Sequence, residues 1–152
     1  MITYERGTFS ALRYDPYAEE VMQEHWVTIN DLAGNHAFQP DWSEYEAIED
    51  IGLLLCVIAR KDHDVIGYIT VMIAPSLHCK GVRDALMDLV YIRESERKGW
   101  AGMRLFKEME NLLMDYGIKR FYTTCKEYMD LRPIYERMGY EFEEYVYKKV
   151  FE

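Results

Sequence analysis

The chain has 152 residues and a formal net charge of −9, and this charge is unevenly distributed. Residues 1–50 contain two arginines against eleven acidic residues, whereas residues 51–152 carry sixteen basic and sixteen acidic residues. This balance argues against a nucleic-acid partner, which favours a basic face. It is compatible with a cationic substrate drawn to the N-terminal third, or simply with a solvated acidic surface.

Signals for membrane targeting and for metal binding are not found in the sequence. It contains no apolar run as long as a bilayer span and no charged-then-apolar leader, so we expect a cytoplasmic protein that does not enter a membrane. The three cysteines are far apart, which predicts reduced thiols rather than a disulfide framework. Neither they nor the four histidines have ligand spacing, so we expect no bound metal.

The first third of the chain predicts one strand followed by two helices. Ile2 to Arg6 fits a short strand, and Phe9 to Leu12 could form a second extended segment. Asp15-Pro16 combines a capping side chain with a proline, a frequent helix start, and Gly34-Asn35 would end that helix. Pro40-Asp41 begins a second, shorter helix. Apolar and aromatic residues follow helical spacing in both segments: Met22, His25, Trp26, Ile29 and Leu32, then Trp42, Tyr45 and Ile48.

Three strands are predicted in the middle of the chain. The continuous apolar run within Gly52 to Ala59 suits a strand that is covered on both faces. Val65 to Ala74 follows after a polar turn, so the two segments predict a hairpin. Gly67 is expected at a bulge or at a close approach of two backbones. Ala85 to Ile92 is the third of these strands.

The stretch from Tyr91 to Gly102 leads from this third strand through a basic turn into a helix, whose apolar residues are Leu105, Met109, Leu112, Leu113 and Tyr116. A helix N-terminus therefore lies directly behind the turn. Its free N–H groups and the helix dipole favour an anion there, and Arg97 and Lys98 add positive charge. The turn predicts a phosphate-binding site, although an ordinary βα turn with solvated charges has the same local pattern.

The last third predicts a strand, a short helix and further strands. Gly117 ends the long helix, at a typical position for a left-handed glycine. Arg120 to Cys125 alternates as a strand, and a short helix opens at Pro133 and closes at Gly139. Tyr140 to Phe151 predicts one long strand or two short ones. This order of elements predicts a single α/β layer structure around a mixed sheet.

The order of elements and two local motifs resemble the GNAT family of N-acetyltransferases. The family turn reads Q/R-x-x-G-x-G/A between a strand and a helix. With Arg97 in its first position, Gly102 fills the last, and Trp100 stands where the first glycine is usual. A second register moves the motif back by one residue, to Glu96, Gly99 and Ala101. We prefer the first register because it keeps a cation beside the phosphates.

The second motif, Ile134-Tyr135-Glu136-Arg137-Met138-Gly139-Tyr140, resembles the family's "lYekxGF" helix and turn. Other residues resemble small GNAT proteins encoded by tailed bacteriophages, which would place the protein in a host cytoplasm: Glu24-His25-Trp26, Tyr45, Ile66-Gly67-Tyr68, Leu77-His78, Asp88, Tyr91-Ile92, and Lys126 with Asp130. The resemblance implies an α/β (α+β) fold in a single domain over residues 1–152. Its twisted sheet would be mixed and mostly antiparallel, with six or seven strands and about four flanking helices.

The resemblance also implies acetyl-CoA as the cofactor and assigns residues to it. Backbone groups of the strand before the turn would bind the pantetheine arm and the thioester oxygen: Leu89, Val90, Tyr91 and Ile92. N–H groups of the turn would bind the pyrophosphate, beside Arg97: Lys98, Gly99, Trp100, Ala101 and Gly102. Tyr135 matches the position of the usual general acid, and a packed aromatic residue is its structural alternative.

Acetyl transfer to an amine also needs a base and a site for the acceptor. Asp88 lies on the strand that leads to the turn, where its carboxylate could take the proton of the acceptor. The candidate acceptor-binding residues are His25, Trp26, Tyr45 and His78. The imidazole group in general can exchange a proton near neutral pH, which makes histidine a candidate at such a site. However, His25 on an apolar helix face is also typical of a core histidine, and His78 could only brace its loop.

These residues predict an N-acetyltransferase in which an amine attacks the thioester of acetyl-CoA directly. The acceptor would be a small cationic amine or a protein amine, with no nucleic-acid or membrane partner. The alternative is a catalytically weak module of the same fold that binds CoA or a host protein. It is favoured by Trp100, which stands where the family usually has its first glycine. The tyrosine-rich end from Tyr140 to Phe151 could pair across a two-fold axis, which would give a homodimer.

Overall fold

The computed structural model describes residues 1–33, 39–127 and 129–151, and the predicted helix end at Gly34-Asn35 lies outside them. Residues 1–122 form one compact unit and residues 123–152 a second. The sheet belongs to the first unit and, within the part of the chain that the structure describes, has five strands: β1 (Ile2–Gly7), β2 (Leu54–Lys61), β3 (Asp64–Pro75), β4 (Arg83–Ile92) and β5 (Arg120–Tyr122). They lie in chain order, with antiparallel neighbours from β1 to β4 and a parallel β4–β5 pair.

The described residues form four α-helices: α1 (Glu19–Ala33), α2 (Trp42–Asp50), α3 (Ala101–Asp115) and α4 (Arg132–Arg137). The predicted start of α2 is confirmed, since the Asp41 carboxylate caps the helix by accepting a hydrogen bond from Glu44 N at 3.1 Å. The α1 helix begins later than Asp15-Pro16 predicted. The Asp15 carboxylate instead accepts a hydrogen bond from Tyr17 N at 2.8 Å, and residues 16–18 form a turn before the helix.

The core of the first unit lies where the sequence is most continuously apolar. All residues of β2 from Leu54 to Ala59 are buried, and so are those of β3 from Val65 to Val71. The α3 helix packs on the sheet through one face, whose buried residues are Ala101, Leu105, Phe106, Met109, Leu112 and Leu113. Gly117 follows with a φ of +72°, which confirms the predicted left-handed helix end.

Gly67 marks a close approach of β3 to β4, as predicted. The β2–β3 register skips Ile66, which places a bulge beside this glycine. A Cβ atom on Gly67 would lie 2.4 Å from the Tyr91 carbonyl oxygen and 3.0 Å from the Ile92 Cα. Only glycine therefore allows β3 to pair closely with the end of β4.

Replacing Gly67 with alanine is expected to lower the free energy of unfolding by about 1–3 kcal/mol, because the two backbones must separate. Urea unfolding measures the change. Gly7→Ala is the matched control on a strand, since its Cβ would meet only the flexible Ile58 side chain, at 3.0 Å. Equal stability losses in the two variants would contradict the close approach.

Three predicted strand assignments are wrong. The sheet has five strands rather than six or seven, because Tyr140 to Phe151 forms no strand; the described residues 141–151 are exposed coil. An alternating pattern alone does not make a strand, which also needs a neighbour for its backbone hydrogen bonds. Phe9 to Leu12 is not extended: a 3-10 helix spans Ser10–Tyr14, and it buries Leu12. The strand predicted over Arg120 to Cys125 ends at Tyr122.

The second unit contains α4, which begins near Pro133 and ends before Gly139, as predicted. Gly139 has a φ of +81°. Cys125 is exposed in the loop before α4, where its sulfur accepts a hydrogen bond from Leu131 N at 3.1 Å. Among the described residues, no helix is long and apolar enough to cross a membrane.

Candidate functional site

The turn between β4 and α3 leaves a helix N-terminus without a side-chain cap. The first hydrogen bond of α3 runs from Arg104 N to Trp100 O at 2.9 Å, and the Trp100 side chain makes no capping hydrogen bond. The N–H groups at the start of α3 therefore remain open to an anion. Gly99 has a φ of +93°, a left-handed conformation that other residues adopt only at a cost.

The cations of this turn divide into two groups. Arg93 is held by α1, since its guanidinium lies 2.7 Å from a carboxylate oxygen of Glu20 and 2.7 Å from one of Glu24. Arg97 and Lys98 are exposed. Arg97 Nε donates to the Ile92 carbonyl at 2.8 Å, which orients its guanidinium beside the turn. The chemistry of the turn thus fits a phosphate group: two exposed cations next to an uncapped helix N-terminus.

The last part of β4 has one open edge within residues 1–122, because β5 pairs with β4 only as far as Leu86. In an antiparallel pair, backbone groups alternate between the two edges of a strand. Arg93 N donates to Ile66 O at 2.8 Å, and Leu89 N is bonded to Thr70 of β3. Of the four residues predicted to bind the pantetheine arm, Val90 and Ile92 therefore direct backbone groups to the open edge, whereas Leu89 and Tyr91 direct theirs to β3.

Asp88 is the extra residue of a bulge in β4. Thr70 of β3 pairs with Leu89 and Val71 pairs with Met87, so Asp88 has no partner in the register. Its side chain is exposed at the sheet surface. Protein packed around the carboxylate still removes part of its hydration and raises its pKa above the ordinary value, and a hydrogen bond from Thr70 partly offsets this effect.

Tyr45 of α2 is electrostatically coupled to Asp88. Burial first, and then the negative charge of Asp88, raise the pKa of the Tyr45 phenol to about 12. The Tyr45 ring also packs against Phe9, with 5.0 Å between ring centroids, and Phe9 contacts Tyr68 at 5.1 Å. Trp42 joins this aromatic cluster, 5.8 Å from Phe9.

His25 lies in the core, which matches the structural alternative considered for it. Its side chain is only 7% exposed, and Nδ1 is 2.5 Å from the Tyr68 hydroxyl. The ring stacks on Tyr91 with 4.5 Å between centroids. Burial, followed by the positive charge of Arg97, lowers the pKa of His25 to about 4, so the ring is neutral at physiological pH. A direct contact of His25 with an acceptor stays a prediction.

The other candidates for the acceptor site belong to different elements of the fold. Trp26 is half-buried on α1, and His78 is exposed in the loop between β3 and β4. Among the described residues, no hydrogen bond joins His78 to Asp88, and no group of three acidic, histidine or cysteine side chains could hold a metal ion.

Tyr135 belongs to the second unit and is positioned by its own neighbours there. Its hydroxyl donates a hydrogen bond to the Thr124 carbonyl at 2.7 Å, and its ring centroid is 5.5 Å from that of Tyr140. Burial raises the pKa of this phenol to about 12, so it keeps its proton at physiological pH.

Sequence reasoning assigned no role to Thr70 or Tyr68, whose hydroxyl groups contact Asp88 and His25 respectively. The signal for both was their polar groups inside an otherwise apolar strand, the run Val65 to Val71. A buried hydroxyl requires a hydrogen-bond partner, so each of these residues indicated that a polar group lies nearby. Which group this is depends on how the strands align, and the sequence does not show that.

One protein-family model matches most of the chain. The model of the acetyltransferase (GNAT) family matches residues 18–140. No curated protein matches the sequence. Among solved structures, the chain is similar to an aminoglycoside acetyltransferase, meta-AAC0020, from an uncultured soil metagenomic sample, with a TM-score of 0.75, 11% identity, and coverage of 99% of this chain and 95% of that chain.

Two further structures share this fold. The ribosomal-protein-alanine N-acetyltransferase of Brucella melitensis biovar Abortus 2308 has a TM-score of 0.74 and 14% identity, and both chains are covered fully (100%). A "predicted acetyltransferase with acetyl-CoA" from Clostridium acetobutylicum has a TM-score of 0.70 and 13% identity, with coverage of 99% of this chain and 96% of that chain. The family model spans most of the sequence, and the fold agrees with it. The chain therefore belongs to the GNAT family of acetyltransferases, and it is an acyltransferase.

Proposed function

We propose that the protein is an acetyl-CoA-dependent N-acetyltransferase that acts by direct attack of an amine. The observation that carries this proposal is the arrangement along β4 and the turn behind it. Asp88 lies at the bulge, and Val90 and Ile92 direct backbone groups to the open edge of β4, where the Ile92 carbonyl accepts a hydrogen bond from Arg97. The uncapped start of α3 follows. The proposed base, the backbone groups that would bind the pantetheine arm, and the site for the pyrophosphate thus follow one another along a short stretch of chain.

Acetyl-CoA is the cofactor that GNAT proteins use, and the residues of the turn suit its charged part. The pyrophosphate would be held by the N–H groups at the start of α3 and by Arg97 and Lys98, and the pantetheine arm by Val90 and Ile92. When bound, the cofactor supplies the acetyl group as a thioester. The Clostridium acetobutylicum structure, described as having acetyl-CoA, supports this assignment.

Asp88 is proposed as the general base. Its exposed side chain is accessible to an incoming amine, and its raised pKa makes it a better proton acceptor than an ordinary aspartate. As the acceptor nitrogen forms its bond to the acetyl carbon and the carbon–sulfur bond breaks, Asp88 takes the proton that the nitrogen loses. The neutral Tyr45 phenol, which is coupled to Asp88, is proposed to contact the acceptor.

The acceptor is proposed to be an amine, either a small cationic molecule or a protein amine. The acidic excess of residues 1–50 supports an acceptor that carries positive charge before it loses a proton. The similar structures include a protein named for aminoglycosides and one named for ribosomal-protein alanine, so they support both kinds of acceptor equally.

The test of this function is release of free thiol from acetyl-CoA in the presence of candidate amines. Polyamines, amino acids, aminoglycosides and host protein lysates would be tried one class at a time, with each reaction repeated without acceptor. We expect thiol release that depends on one class of acceptor, accompanied by a mass gain of one acetyl group on that acceptor. Binding of CoA without release for any class would contradict the catalytic proposal.

Tyr135 is proposed as the proton donor to the leaving thiol, a role that the family resemblance implies. Support comes from its raised pKa, which keeps the hydroxyl protonated. Tyr135→Phe is expected to lower kcat about tenfold to a hundredfold, with CoA affinity nearly unchanged. Steady-state kinetics and calorimetry with CoA measure the two effects. Tyr122→Phe, at a half-buried tyrosine of β5, is the control, and an unchanged kcat in Tyr135→Phe would remove this residue from the acid role.

A second candidate function is a catalytically weak module that binds CoA or a host protein. Trp100 favours it, since this residue replaces the family's first glycine and is 66% exposed. Exposed apolar side chains in residues 141–151 also favour a protein partner or a second copy of the chain: Phe142, Tyr145, Val146, Tyr147, Val150 and Phe151. A stable host complex that survives loss of CoA binding would favour this candidate, and sedimentation would detect a homodimer.

A further inference from the structure

The buried side chain of Thr70 in β3 forms hydrogen bonds to the neighbouring strand β4. Thr70 is one of two residues with a polar side-chain group in the buried run Val65 to Val71, the other being Tyr68, and its side chain is fully buried, at 0% exposure. A hydroxyl in such a position needs partners, and both of those it has belong to β4. Its oxygen accepts a hydrogen bond from Leu89 N at 3.1 Å and donates one to Asp88 Oδ2, also at 3.1 Å.

These two hydrogen bonds bridge the bulge of β4. In a regular antiparallel pair, the Leu89 N–H group would bond to a backbone carbonyl of β3. The register shift beside Thr70 interrupts the regular pairing, and at this point the threonine hydroxyl accepts a hydrogen bond from the Leu89 N–H group. The same oxygen holds the carboxylate of the extra residue, so the backbone of the bulge and the side chain of Asp88 are fixed together.

We propose that Thr70 is a positioning residue, which orients the Asp88 carboxylate toward the acceptor and keeps the bulge of β4 in one geometry. This inference rests on the proposed function only insofar as Asp88 acts as the base. The hydroxyl bridge itself is a property of the fold and can be measured without any catalytic assay.

The bridge also has a consequence for the protonation of Asp88. A hydrogen bond donated to the charged carboxylate favours ionisation, so removing the Thr70 hydroxyl raises the pKa of Asp88 further. Among the described residues, Tyr45 of α2 is the titratable group coupled to Asp88, and Tyr45 in turn interacts with Glu49 and Cys56. The phenol is neutral below about pH 12, so in the working range it contributes no changing charge.

The experiment compares Thr70→Val, which removes the hydroxyl at similar volume, with Thr70→Ser, which keeps it. Carboxyl ¹³C chemical shifts report the titration of Asp88 in each protein. We expect the Asp88 pKa to rise by about one unit in Thr70→Val, since hydrogen bonds to charged groups contribute about 1.5–3 kcal/mol and one unit corresponds to about 1.4 kcal/mol. Thr70→Ser should restore most of the difference.

Thr3→Val is the control, because it makes the same replacement at an exposed position of β1. It should leave the Asp88 titration unchanged. An Asp88 pKa in Thr70→Val equal to that of the unmodified protein would overturn the proposal. In kinetic assays, the acidic limb of the kcat profile should move to higher pH in Thr70→Val, whereas CoA affinity should stay constant.

A measurement on the unmodified protein keeps the proposal testable if Thr70→Val does not fold. The bridge makes the Leu89 amide proton sensitive to the charge on Asp88, so its chemical shift should titrate with the Asp88 pKa, and Asp88→Asn should abolish that titration. A Leu89 amide that does not follow Asp88 would contradict the bridge. If the Leu89 amide titrates as expected but the protein transfers no acetyl group, the proposed function is refuted and the hydroxyl bridge still stands.

Discussion

Asp88→Asn is expected to lower kcat for acetyl transfer at pH 7 by about 10²- to 10⁴-fold, the usual contribution of a general base. Asparagine keeps the shape of the side chain and an oxygen that can accept the Thr70 hydrogen bond, so the bulge should be retained. The amide cannot take a proton from the acceptor. Initial rates at saturating acetyl-CoA, measured with the acceptor found by thiol release, give the change in kcat.

The pH dependence provides an independent check on this role. Asp88 must be ionised to act as a base, so the rate should rise with pH through its raised pKa, and this limb should be missing in Asp88→Asn. A variant with an unchanged rate and an unchanged pH profile would exclude Asp88 as the base.

The stability of the variant serves as the control for folding. Because folding raises the pKa of Asp88, the folded chain holds this proton more tightly than the unfolded chain does. The resulting stabilisation is fully present below the ordinary carboxyl pKa and is lost as pH rises through the raised value. Above the raised pKa the ionised carboxylate no longer has this stabilisation, so in that pH range Asp88→Asn should unfold at a urea concentration at least as high as the unmodified protein.

Arg97→Glu is expected to weaken CoA binding by about two orders of magnitude. A charge-assisted hydrogen bond contributes about 1.5–3 kcal/mol, and each 1.4 kcal/mol corresponds to a factor of ten. The glutamate would also place a negative charge beside the uncapped start of α3. Calorimetric titration with CoA measures the dissociation constant, and near-UV circular dichroism checks the fold.

Two variants sharpen the interpretation of that result. Lys107→Glu makes a similar charge reversal on an exposed residue of α3 whose amine pairs with Glu110 at 3.1 Å, and it should bind CoA nearly normally. Arg97→Lys keeps the charge but loses the planar guanidinium, so its affinity should be intermediate. If Arg97→Glu binds CoA as tightly as Lys107→Glu does, the register that places Arg97 at the phosphates is incorrect.

Features of local chemistry were predictable from sequence because each depends on a few neighbouring residues. The Asp41 cap, the left-handed glycines at 117 and 139, and the turn before α3 follow from turn and helix-end preferences. The family was also predictable, since two motifs in the right order resembled it, and the family model confirms it over residues 18–140. The resemblance to phage-encoded members, the cytoplasmic location and the single-domain assignment stay predictions.

Contacts between distant residues were not predictable in the same way. His25 carried both an acceptor-binding and a core interpretation until its position against Tyr68 and Tyr91 was known. The segment from Tyr140 to Phe151 has the alternation of a strand, but a strand forms only where a neighbour supplies backbone hydrogen bonds. In both cases the deciding partner lies elsewhere in the chain.

The sequence by itself determined that a basic turn joins a strand to a helix N-terminus, because the order of apolar runs, glycines and cations there is local. Only the tertiary structure decided how the strand before that turn presents its groups. A bulge shifts side chains and backbone groups between faces and edges, and its position follows from the register of β3 against β4. That register places Asp88 on the Thr70 hydroxyl and leaves Val90 and Ile92 facing the open edge.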